Sequence, residues 1–157
     1  MCGIAGYWGT GDERVLRVMG EALKHRGPDG SGVWQSNDKR TGFAHARLAV
    51  VELSPAGAQP MTDRSGRFTI TFNGEIYNFE ELRAELREQG YPFKSKSDTE
   101  VLLALYEFHG DQFLNRVEGM FALAIYDSKE QVLTLARDRM GEKPLYVATH
   151  GRDVLFA

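Results

Sequence analysis

The run Met120-Phe121-Ala122-Leu123-Ala124-Ile125-Tyr126 is apolar on both of its alternating faces, with large side chains on one and mainly small ones on the other. A strand of that kind cannot lie in a sheet with one wet side; it demands cover above and below. The polar stretch Asp127-Ser128-Lys129-Glu130 then turns the chain into Gln131-Val132-Leu133-Thr134-Leu135-Ala136, which predicts a hairpin inside a buried sheet. A strand of a different type runs from Arg67 to Asn73: Phe68, Ile70 and Phe72 alternate with polar residues, leaving Asn73 at the strand end on the polar side.

Helices are marked by their caps and stops. Leu16, Met19 and Leu23 recur at helical spacing after Gly11-Asp12-Glu13, and the segment ends at Arg26-Gly27-Pro28-Asp29-Gly30, which reads either as a tight turn or as a loop closing over a ligand. Asn78-Phe79-Glu80-Glu81 has the form of a capping box ahead of Leu82 and Leu86, with Gly90 as the stop. Ser97-Asp98-Thr99-Glu100 repeats that signature before Val101 to Phe108, stopped at Gly110, and a short helical turn is expected over Phe113 to Val117. The last segment, Asp153 to Ala157, reads as a strand with an exposed edge. Antiparallel strands with a few amphipathic helices make the class α+β.

With 157 residues, 42% of them hydrophobic, and no repeat or linker, the chain suits one domain over residues 1–157. A net charge of −3 argues for no nucleic-acid partner, and no stretch approaches the ~20 apolar residues of a membrane span. Without an export signal, a cytoplasmic location is expected. The single cysteine excludes an internal disulfide and a thiolate metal cluster, and His25, His45, His109 and His150 lack metal-ligand spacing.

That cysteine stands at position 2, followed by Gly3-Ile4-Ala5-Gly6. Removal of Met1 would place a thiol and a free α-amine on one residue. An α-amine has an unperturbed pKa of roughly 7.7–8.0, so a useful fraction is neutral near pH 7 and can relay the thiol proton through a water. A nucleophile with its own base needs no imidazole, so His25 and His45 are read as structural. Trp8, Trp34 and the phenylalanines are read as core.

Met1-Cys2-Gly3-Ile4-Ala5-Gly6, His25-Arg26-Gly27-Pro28-Asp29-Gly30, His45-Ala46-Arg47-Leu48, Gln59-Pro60-Met61, Phe72-Asn73-Gly74-Glu75-Ile76-Tyr77-Asn78, Ser97-Asp98-Thr99-Glu100, Glu118-Gly119-Met120-Phe121-Ala122 and the run Arg137 to Tyr146 follow in order along the chain. Together they resemble the class II glutamine amidotransferase domain of the glutamine-hydrolysing asparagine synthetases. The resemblance implies an N-terminal-nucleophile hydrolase fold, two stacked antiparallel sheets between helical layers. It implies that Cys2 attacks the side-chain amide of L-glutamine and that the Asn73 amide and Gly74 N–H hold the oxyanion. Arg47 would then bind the α-carboxylate, Glu75 and Asp98 the α-ammonium, and Leu48, Ala49, Val50 and Val51 would line the pocket. Alone, Asn73-Gly74 would read as a plain turn and Asp98 as a helix cap.

In that family the domain continues past the position of Ala157 into an ATP-using synthetase domain, so the chain is expected to be truncated at its C-terminus. No cofactor is expected in these residues, ATP and Mg belonging to the synthetase domain or subunit that would be its partner; a homodimer is expected of the full-length enzyme. Two readings stay open beside asparagine synthesis. One is a glutaminase feeding a sugar phosphate or phosphoribosyl pyrophosphate; the other is a catalytically silent glutamine-binding module.

Overall fold

A computed structural model describes residues Met1–Ala157. The elements run β1 (Gly3–Trp8), α1 (Glu13–Ala22), β2 (Gly30–Gln35), β3 (Thr41–Arg47), β4 (Met61–Thr62), β5 (Phe68–Ile76), α2 (Phe79–Glu88), α3 (Asp98–His109), β6 (Gly119–Asp127), β7 (Val132–Arg137), β8 (Val147–His150) and β9 (Asp153–Phe156). They form two sheets, ordered β2-β3-β1-β9-β8 and β4-β5-β6-β7. Every strand pair in both is antiparallel.

The doubly apolar strand explains the layering. On one face of β6, Phe121, Leu123 and Ile125 join Phe68, Ile70 and Phe72 of β5 in the main core, under Leu82 and Leu86 of α2 and the apolar residues of α3. On the other face, Ala124 and Tyr126 meet Phe43 and Phe156 of the opposite sheet, with Trp8 and Trp34 packed against them. Small residues here let the sheets approach, and the aromatic rings fill the remainder; Trp34 and Tyr126 centroids lie 5.7 Å apart. Beyond the first sheet, Leu16 of α1 packs on Tyr7 and Ala44. The order of layers is helix, sheet, sheet, helices, as expected.

α3 is buried from Asp98 through Tyr106, which accounts for its nearly continuous apolar sequence. Ser97 caps it, its side chain accepting from the Thr99 amide at 3.0 Å. The capping box expected at Asn78 does not form. The Asn78 amide instead bridges to the chain entering β6, donating to the Arg116 carbonyl at 2.9 Å and accepting from the Glu118 amide at 3.0 Å. The short turn expected over Phe113 to Val117 appears as a 3-10 helix at Gly110–Asn115.

Two strand expectations are corrected. β5 does not end at Asn73 but continues to Ile76, with Asn73 opposite Ala122 and Gly74 opposite Phe121. The alternation Phe68, Ile70, Phe72 breaks at Gly74 while the backbone pairing persists, so the pattern under-reports the strand. β9 is not an exposed edge either: it pairs with β1 on one side and β8 on the other. No helix is long and apolar enough to cross a membrane.

Candidate active site

The site forms where the two sheets and the start of α3 converge. Antiparallel pairing of Gly3 with Ala46 sets Cys2 beside the end of β3. There the Leu48 amide donates to the Cys2 sulfur at 3.3 Å, and the same sulfur lies 3.5 Å from the Leu48 carbonyl. A cavity of about 110 Å³ opens at this point. Cys2 lines it together with Arg47, Leu48, Ala49, Val50 and Val51 from the end of β3 and the loop that follows. Asn73, Gly74 and Glu75 of β5 and Asp98 of α3 complete the opposite wall. All ten residues singled out in the sequence therefore share one cavity. Met1 lines it too, and in this chain occupies the position where the Cys2 α-amine would be freed.

Local packing sets the shape of each wall. Gly74 sits where the strands approach closely: a Cβ there would stand 2.2 Å from the Met120 carbonyl oxygen and 2.7 Å from the Phe121 Cα. Arg47 is held at one end of its guanidinium, Nη2 donating to the Glu52 carbonyl and, at 3.0 Å, to the Ser54 carbonyl. Gly57 leaves space for that group, since a Cβ at Gly57 would lie 2.7 Å from Arg47 Nη2. The segment Arg26 to Gly30 does not line the cavity. It braces the loop from behind, Asp29 accepting from the Ala49 amide and donating its own amide to the Arg47 carbonyl, both at 2.9 Å.

Asp98 is 5% exposed and accepts from the Ile76 amide at 3.3 Å. Burial pushes its pKa up to about 6, with the neighbouring Glu75 charge adding and the backbone hydrogen bonds opposing. A buried carboxylate beside another acid is poised to gain a cation.

Sequence reading missed three supports. Gln59 ties β5 to α3, its Oε1 accepting from the Phe72 amide at 2.6 Å and its Nε2 donating to Thr99 Oγ1 at 3.2 Å. Glu52 accepts from the Lys96 amide and the Ser54 amide, each at 3.0 Å. Those hydrogen bonds, the Lys96 amide foremost, hold its pKa down to about 2. Arg83, on α2, fixes the loop before Asp98. Only Gln59 carried a signal, since it opens one of the matched blocks; the other two are ordinary charges on polar segments.

His45 is fully buried on β3 with neither ring nitrogen hydrogen-bonded, and does not line the cavity. Burial pushes its pKa down to about 4. His25 is exposed, with Nδ1 3.0 Å from the Ala22 carbonyl. No group of three or more His, Cys, Asp or Glu side chains is arranged to hold a metal ion. A second cavity, about 320 Å³, lies between α1 and β8–β9 and is lined entirely by apolar residues, offering no group for chemistry.

The whole chain, residues 1–157, matches the family described as glutamine amidotransferase domain. Asparagine synthetase (glutamine-hydrolyzing) 1 of Bacillus subtilis is 40% identical over 164 residues, which cover 100% of this chain and 26% of that protein. Asparagine synthetase B (glutamine-hydrolyzing) of Escherichia coli is 40% identical over 159 residues, 97% of this chain and 28% of its own length. The chain thus spans about a quarter of the curated relatives it matches. Among solved structures, glutamine phosphoribosylpyrophosphate amidotransferase of B. subtilis superposes with a TM-score of 0.81 at 23% identity, covering 99% of this chain and 41% of that one. At that identity the likeness speaks for the fold, the stacked-sheet architecture described above.

Proposed function

Because this chain belongs to the glutamine amidotransferase domain family, we propose that it hydrolyses L-glutamine to glutamate and ammonia through a thioester on Cys2. One observation carries the reading: the cysteine, the Asn-Gly pair and a cation with two acids all face a single cavity. After removal of Met1, the α-amine of Cys2 accepts the thiol proton and the sulfur attacks the γ-carbonyl carbon. The Asn73 amide and the Gly74 N–H receive the oxygen as it becomes negative. When the tetrahedral adduct collapses, the C–N bond breaks and the amine returns its proton to the departing ammonia. Water then attacks the thioester carbonyl, releasing glutamate and the thiol.

The rest of the cavity recognises a free amino acid. Arg47 spends Nη2 on carbonyls of its own loop, leaving the other face of the guanidinium for an α-carboxylate. Glu75 and Asp98 receive the α-ammonium, and the Leu48 to Val51 loop closes over the chain of the substrate. In the longer polypeptide, the ammonia serves asparagine synthesis by an ATP- and Mg-dependent synthetase domain or subunit. The 40% identity to asparagine synthetases supports that acceptor over phosphoribosyl pyrophosphate, whose amidotransferase shares only 23%.

The test compares the protein with Cys2→Ala, after mass spectrometry of the mature N-terminus. Glutamate release is expected to vanish in the variant and in protein that retains Met1. Undiminished turnover in Cys2→Ala removes the mechanism.

A further inference from the structure

Asp98 faces the cavity from the first residue of α3, and the loop delivering it, Lys94 to Ser97, is irregular backbone that exposes Lys94 and Lys96 but buries Ser95 and Ser97. Such backbone is costly unless each polar group is paired. On its donor side the Glu100 carboxylate accepts from the Lys94 amide at 2.9 Å and the Ser95 amide at 2.7 Å, and Glu52 accepts from the Lys96 amide at 3.0 Å. Its acceptor side is satisfied by one residue from another helix. Arg83 Nη1 donates to the Ser95 carbonyl and Nη2 to the Ser97 carbonyl, both at 2.7 Å.

Arg83 is unusual for a helix-surface arginine. It is 3% exposed, and its guanidinium lies 4.6 Å from the centroid of the Phe93 ring. No carboxylate lies within salt-bridge distance of it. A buried cation without an ion pair is expensive, and an apolar residue would pack against Phe93 at lower cost. What an apolar residue could not do is hold two carbonyls at a fixed spacing, which needs the planar fork of arginine. The clamped residues are Ser97, which caps α3, and Ser95, whose hydroxyl accepts from the Ser97 amide at 3.2 Å. The position of Asp98 follows from both.

We infer that Arg83 is a positioning residue for amino-acid selectivity: by clamping the Ser95 and Ser97 carbonyls it holds Asp98 where the substrate α-ammonium must sit. Arg83 touches no substrate and acts only through this loop.

The inference rests on the glutaminase reading, and its test separates the two. Arg83→Met and Arg83→Lys are assayed on glutamine and on glutaramate, which keeps the amide and the carboxylate but lacks the α-amine. In Arg83→Met the KM for glutamine is expected to rise about 10- to 100-fold with kcat changed far less. The preference for glutamine over glutaramate is expected to fall toward that of Asp98→Ala. Arg83→Lys keeps the charge but only one carbonyl, so its preference is expected to lie between; it carries the test alone if Arg83→Met does not fold. Equal losses on both substrates, or a wild-type preference in the variants, overturn the inference while Cys2-dependent turnover stands. Loss of Cys2 dependence would instead strike the glutaminase reading.

Discussion

The Leu48 amide points at the Cys2 sulfur from 3.3 Å, so the proposed nucleophile is held by the backbone of the same loop that lines the cavity. An N–H aimed at sulfur fixes where that side chain points. That amide is steadied from behind by Asp29, whose backbone N–H donates to the carbonyl of the same Arg47–Leu48 peptide and whose carboxylate accepts from the Ala49 amide. Asp29→Ala keeps the backbone bond to Arg47 but removes the carboxylate from the Ala49 amide, which should loosen the loop on the far side of Leu48. The rate of Cys2 alkylation by iodoacetamide at pH 7 is expected to change by about 3- to 10-fold once that one hydrogen bond to sulfur is loosened. An unchanged alkylation rate would show that the loop holds its place without Asp29.

Asn73 and Gly74 are expected to fail in different ways. Asn73 lies within β5 with its backbone paired to Ala122 of β6, so Asn73→Ala should leave the fold intact and lower kcat by about 10²–10³ with KM little changed. Gly74→Ala has no such freedom, because the new methyl would meet the Met120 carbonyl at 2.2 Å. The Met120 carbonyl is strand backbone, so β5 and β6 must separate. Thermal unfolding is expected to show a marked fall in Tm for Gly74→Ala and none of that size for Asn73→Ala.

That β6 is covered on both faces was legible, because a strand with Phe121, Leu123 and Ile125 on one side and Ala122 and Ala124 on the other needs packing above and below; the order of the four layers came only with the family resemblance. The site residues were legible as blocks of a familiar pattern. Residues acting through backbone carbonyls were not. Arg83 reads as one more charge on an amphipathic helix, because the groups it serves, the Ser95 and Ser97 carbonyls, have no signature in side-chain chemistry. Asn78 misled for a related reason. Asn ahead of Glu-Glu suits a cap, yet the nearby Arg116–Glu118 backbone takes its amide first. The pairing of β9 on both sides was invisible because register between distant strands is not written in either one.

Arg47 offers a test of the amino-acid pocket separate from the chemistry. Nη2 is committed to the Glu52 and Ser54 carbonyls, and the remaining donors form a planar edge. Arg47→Lys keeps the charge and loses both the loop contacts and the paired donors. KM for glutamine should rise about 10- to 100-fold, whereas hydrolysis of an amide lacking the α-carboxylate should change little. Equal losses on both substrates would place Arg47 in the support of the loop alone.

Two buried groups give the protein opposing responses to acid. Asp98 has its pKa raised to about 6 by burial, above its unfolded value, so between pH ~4 and ~6 the native state holds more protons and stability falls as pH rises. His45 has its pKa lowered to about 4 by burial, so between pH ~6.5 and ~4 the unfolded state holds more protons and stability falls as pH falls. The two slopes nearly cancel, and the intact protein should show flat stability from pH 4.5 to 6. Asp98→Asn removes the first slope. Its unfolding free energy in urea titrations is expected to exceed that of the parent at pH 7.5, by on the order of 1–3 kcal/mol, and to drop on acidification. His45→Gln should do the reverse, with stability rising as pH falls toward 4.5. Glutamine reverses the Asp98 effect, since an α-ammonium favours the carboxylate; its affinity should weaken as pH falls through 6, and this dependence should disappear in Asp98→Asn. Urea titrations of the three proteins that run parallel across pH would overturn the assignment of both groups.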